Sequence, residues 1–112
     1  MRSYQIEDLT EESVRRIEAR LTELGLRGSL DGIYYLSVPA ELLDTEQKAH
    51  VETCGPHIMA LEVIDGGRLK LELLVRGRGP LRCSCIAYAT PAQRERMIDF
   101  LDQLIRDLDI AV

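Results

Sequence analysis

Two glycine-rich breaks, Asp65-Gly66-Gly67 and Gly77-Arg78-Gly79-Pro80, cut the middle of this chain into three short segments. The segments cover residues 57–65, 68–76 and 81–88. Each alternates in the way a half-buried β-strand does, with a period of two. Loops this short force neighbouring strands to run antiparallel. A three-stranded meander is therefore the frame that everything else must pack around.

The alternation also assigns faces. His57, Met59, Leu61 and Val63 share one face of the first strand. Leu69, Leu71, Leu73 and Val75 share one face of the second, and Leu81, Cys83, Cys85 and Ala87 one face of the third. These sets are expected to form the core side. The other face carries Ile58, Ile64, Leu74, Ile86 and Tyr88 among charged residues. An apolar patch of that size in water marks an interface, so those five residues are expected to mediate self-association.

The flanking segments read as helices and one more strand. Residues 1–9 form a polar lead-in. Thr10 caps a helix over 11–24, with Glu11 and Glu12 in its first turn and Val14, Ile17, Leu21 and Leu24 along its buried stripe. Gly25 suits the left-handed position that ends it. Residues 33–38 are β-branched and aromatic, and Pro39 stops them. Tyr34 and Tyr35 must point to opposite faces. Asp44 and Gln47 have capping-box spacing for a short helix from Thr45 to Thr53, closed by Gly55 and Pro56. Thr90, Pro91 and Gln93 start the last helix, whose stripe is Met97, Leu101, Leu104 and Leu108. The expected order is helix, strand, helix, three strands, helix. This describes an α+β two-layer sandwich, a largely antiparallel four-stranded sheet with helices mainly on one face. A length of 112 residues fits one such domain over 1–112.

Composition narrows the class of function. The formal net charge is −5, which disfavours a nucleic-acid partner or an anionic membrane surface. No apolar run approaches the roughly 20 residues of a membrane span, and the first residues lack a secretory apolar core. A cytoplasmic location is expected. Three cysteines, an odd number, then read as reduced thiols and not as a disulfide framework.

Every cysteine and histidine belongs to one set: His50, Cys54, His57, Cys83 and Cys85. His50 and Cys54 are four apart and share a helix face. Imidazole and thiolate are the ligands that zinc prefers. Against a metal site stand the missing Cys-x-x-Cys pair and the distance of about 10 Å between strands separated by a third. A second feature is local basicity, with Arg68, Lys70, Arg76, Arg78 and Arg82 against the single acid Glu72 between positions 66 and 82. Arg76, Arg78 and Arg82 are the candidate site for an anion or an acidic partner. No aromatic stacking set accompanies them, as single-stranded RNA would require. No catalytic set emerges, and an enzyme is not the leading reading. The sequence points first to a non-catalytic interaction or ligand-binding module, a homo-oligomer with a protein partner and no cofactor. The alternative is a zinc-binding or thiol-dependent protein built on the Cys/His set.

Overall fold

The computed structural model describes residues 1–79 and 82–112. In chain order they form β1 (Ser3–Ile6), α1 (Glu11–Glu23), β2 (Ile33–Ser37), a single 3-10 turn (Ala40–Leu42), α2 (Thr45–Ala49), α3 (Val51–Cys54), β3 (His57–Ile64), β4 (Arg68–Glu72), β5 (Leu74–Gly77), β6 (Ala87–Tyr88) and α4 (Pro91–Asp107). The α+β class is as expected. Helix starts follow the local chemistry. The Thr10 hydroxyl accepts from the Ser13 amide at the head of α1. Asp44 with Gln47, and Thr90 with Gln93, close reciprocal capping boxes on α2 and α4.

The sheet is mostly antiparallel, with β3 at its centre. Strand β2 lies on one side of β3, and β4 and β5 follow each other along the other side. β1 pairs outside β4, and β6 outside β5. The register explains why β4 and β5 are separate. Leu61 opposes Leu71, but Ile58 opposes Arg76, so five steps face three. The two surplus residues are absorbed around Leu73, where the ladder with β3 is interrupted. Its N–H reaches Arg2 O at 3.0 Å, and its carbonyl accepts from the Ala89 amide at 2.9 Å. Leu73 is thus where the neighbour changes from β1 to β6.

Three expectations need correction. Residues 3–6 are a strand and not a polar lead-in, so the described residues form six strands, not four. The expected third meander strand shrinks to Ala87–Tyr88, and Cys83 and Cys85 sit on a turn closed by Ile86 N–H to Cys83 O at 3.1 Å. Pro80 and Leu81, which that strand and its preceding loop were to include, lie outside the described residues. Third, the helix expected over 45–53 is two short helices that meet at His50 and end at Cys54.

The core lies between one sheet face and the two long helices. Ile17 and Leu21 of α1, Leu101 and Ile105 of α4, and Met59, Leu61, Leu69 and Leu71 of the sheet are all fully buried. Tyr34 points into this layer and donates to Glu18 of α1 at 2.8 Å, while Tyr4 donates to Asp102 of α4 at 2.8 Å. Tyr35 points the other way, as alternation demands. Among the described residues no helix is long and apolar enough to cross a membrane.

Candidate metal centre

Helices α2 and α3 are too short to be stable alone. They are held by what surrounds them, and His50 sits at their junction. One turn later Cys54 ends α3. His50 and Cys54 therefore face the same way, as their spacing demands. The turn before β6 brings Cys83 and Cys85 against them. Ligand atoms of His50, Cys54, Cys83 and Cys85 all lie within 4.8 Å of one another.

The individual distances resemble a tetrahedron. Cys54 Sγ is 3.5 Å from Cys83 Sγ. His50 Nδ1 is 3.0 Å from Cys83 Sγ and 4.0 Å from Cys54 Sγ. A zinc tetrahedron with Zn–S bonds of about 2.3 Å has edges of about 3.8 Å. The strand-spacing objection does not apply, because Cys83 and Cys85 are on a turn that folds back over α3. Cys54 and Cys85 are buried, and His50 and Cys83 close the set from the outer side.

The surroundings orient the ligands. Glu46 lies one turn before His50 and faces its Nε2 at 3.2 Å. Nε2–H donating to a carboxylate leaves Nδ1 unprotonated and aimed at the sulfurs. This is the arrangement that metal-ligating histidines use. The same Glu46 oxygen accepts from the Ser84 hydroxyl, so it also fastens the cysteine turn. Beneath the turn, Gln47 Nε2 donates to Cys85 O at 3.3 Å. Gln93 Nε2 donates to Gln47 Oε1 at 2.9 Å and to Leu42 O at 2.8 Å. Both glutamines are fully buried. A buried relay thus runs from the head of α4 through α2 to the backbone of Cys85.

Electrostatics separate the thiols. The Cys83 thiol is lowered, first by the Cys85 N–H at 3.5 Å and then by hydrogen bonds from the Cys85 and Cys54 thiols. Cys85 is pushed up to about 12, chiefly by burial and then by its thiol neighbours. Of these two thiols, the surroundings thus favour the ionised form on Cys83 and disfavour it on Cys85.

The structure places the remaining expected residues as follows. His57 is not in the cluster. It is 2% exposed, on the core face of β3, with neither ring nitrogen hydrogen-bonded. Burial lowers its pKa, against an opposing pull from Asp44. Arg76 and Arg78 line a pocket on the other sheet face, and Arg82 is exposed. Of the expected self-association residues, Ile58 is already buried at 4%, Ile64, Leu74 and Ile86 are half-buried, and Tyr88 is 43% exposed beside Arg2. Glu46, Ser84, Gln47 and Gln93 were not anticipated as site residues. The only trace of them in the sequence is the capping spacing of the two glutamines. Comparison of the chain with protein-family models, curated proteins and solved structures finds no match.

Proposed function

We propose that this protein binds one zinc ion through His50, Cys54, Cys83 and Cys85, and that the ion is a structural cross-link. The observation that carries this is the convergence of four zinc-type ligand atoms, within 4.8 Å, from two segments far apart in sequence. Thiolate and imidazole donors in a Cys3His set favour zinc over magnesium or calcium, which take oxygen ligands. Four protein ligands fill a tetrahedron and leave no position for substrate, which is the pattern of a structural site. The Glu46–His50 contact supplies the outer support such sites use. This reading keeps the protein in the non-catalytic class.

Native mass spectrometry on protein purified without chelator tests it. The expected result is a mass excess of one zinc ion per chain, lost in the Cys54→Ser, Cys85→Ser double variant. Wild-type protein that takes up no zinc on reconstitution, or a double variant that keeps its zinc, overturns the reading. A second reading, thiol chemistry, is favoured by the lowered pKa of Cys83 with Cys54 Sγ 3.5 Å away. It is the outcome if the chain takes up no zinc and Cys83 is alkylated well ahead of Cys85.

A further inference from the structure

The sheet face opposite the core carries a feature that a zinc cross-link leaves unused. Ile58, Ala60 and Ile86 form the apolar floor of a pocket of about 330 Å3. Arg76 and Arg78 line it too, as does Tyr35. That volume lies within the range of small-molecule sites, about 300–1,000 Å3. An apolar floor with a few polar groups at one side is also how such sites are built.

The polar side is fixed in place. Arg76 Nε meets Glu72 Oε1 at 3.3 Å. The Arg78 guanidinium stacks over the Tyr35 ring, 5.1 Å from its centre. The Tyr35 hydroxyl is 3.2 Å from Ser29 Oγ. Its pKa is lowered, first by Ser29 and further by the charge of Arg78. Two guanidiniums against the Glu72 carboxylate leave one net positive charge at the mouth, which matches a monoanion.

The walls lean on the cysteines. Arg78 N–H donates to Cys54 O at 2.8 Å. A methyl group on Gly77 would stand 2.5 Å from the same oxygen, so β5 runs hard against the end of α3. Across the pocket, Ile86 follows Cys85 directly and its N–H is bonded to Cys83 O. One wall of the pocket is thus bonded to Cys54 and the other to Cys83.

We infer that this pocket binds a small monocarboxylate with a compact apolar body, its charge against Arg78 and Arg76 and its body on Ile58, Ala60 and Ile86. The metal site sets the spacing of the walls; this clause rests on the zinc reading. Where zinc holds the walls at the spacing that the carboxylate fits, reciprocity requires the carboxylate to strengthen zinc binding by the same factor.

Calorimetric titration of the zinc-loaded 112-residue chain with benzoate, phenylacetate and 4-phenylbutyrate tests the inference, with 4-phenylbutyramide and inorganic phosphate as comparators. One site per chain is expected for at least one carboxylate. Loss of the charge-assisted contact should weaken binding about tenfold or more, in the amide and in Arg78→Ala alike. Arg78 is exposed, so that variant keeps the fold. Ala60→Leu should block the pocket, with circular dichroism confirming that the sheet is intact. Chelator-stripped protein should bind the carboxylate several-fold more weakly. Failure of every carboxylate, equal binding of the amide, equal binding of phosphate, or an unchanged Arg78→Ala overturns the pocket. A chain that takes up no zinc but binds a carboxylate through Arg78 removes only the linkage. A chain that holds zinc and binds no carboxylate removes the pocket and leaves the zinc site standing.

Discussion

A single oxygen of Glu46 faces both His50 Nε2 and the Ser84 hydroxyl. It therefore sets which nitrogen of His50 carries the proton, and it holds the turn that presents Cys83 and Cys85. A carboxylate behind a metal-bound histidine raises the basicity of the ring and fixes its direction. Glu46→Ala should therefore raise the zinc dissociation constant about 10- to 100-fold. The Glu46 side chain is 49% exposed, so the fold should be unaffected. Competition with a chromophoric chelator measures the change, and Glu52→Ala, an exposed acid on α3, serves as the control. Equal losses in both variants would mean that Glu46 contributes only general negative charge, and its positioning role would fall. His57 illustrates a different residue-scale point. Its place just past Gly55 and Pro56 put it with the ligands, but its position on β3 turns it toward the core, where burial disfavours its charged form.

At the scale of elements, the capping boxes do more than start helices. An N3 glutamine ordinarily reaches back to its cap in solvent. Here Gln47 and Gln93 are fully buried and bond each other, so the heads of α2 and α4 are fastened side by side. Gln93→Ala leaves Leu42 O without this donor and the Thr90 N–H without its acceptor, while Gln47 Oε1 keeps only the Asp44 N–H. A loss of about 2–3 kcal/mol is expected in urea unfolding, since each buried polar group left unpaired costs about 1–3 kcal/mol. Gln103→Ala, on the exposed face of the same helix, should stay within about 0.5 kcal/mol. Similar losses in the two variants would remove the relay from the account. The helix caps were legible in the sequence because they depend on residues three or four apart. So were the faces of β3 and β4, because alternation is local. The turn at 83–86 was not. Leu81, Cys83, Cys85 and Ala87 mimic strand alternation in the sequence, whereas the bond from Gln47 to Cys85 O that lies under the turn joins residues far apart in it. Strand β1 was missed for a related reason: four residues of mixed polarity become a strand only because the edge of β4 is there to pair with them. The candidate ligands were legible as residue types. Their convergence was not, because it depends on that turn.

At the scale of the whole molecule, the metal centre and the core are separate. The continuous apolar cluster joins α1, α4 and the sheet through residues such as Ile17, Leu61, Leu71, Leu101 and Ile105. Cys54 and Cys85 are buried apart from it, at the corner where α2, α3 and the cysteine turn meet. Zinc at that corner would tie two short helices and a turn that have little apolar surface of their own. Its removal should therefore open the corner without unfolding the domain, because stability is distributed in local cooperative units. Hydrogen exchange on zinc-loaded and chelator-treated protein measures this directly. Amides over 45–54 and 83–88 should lose protection on chelation. Amides of β3 from Met59 to Val63, of β4 and of the two long helices should keep theirs, because they sit on the core cluster. If protection collapses everywhere, the ion holds the whole fold and the core is weaker than its packing indicates. If nothing changes, a metal bound at the cluster is not a cross-link, and the four side chains are held together by Glu46, Gln47 and Gln93 alone.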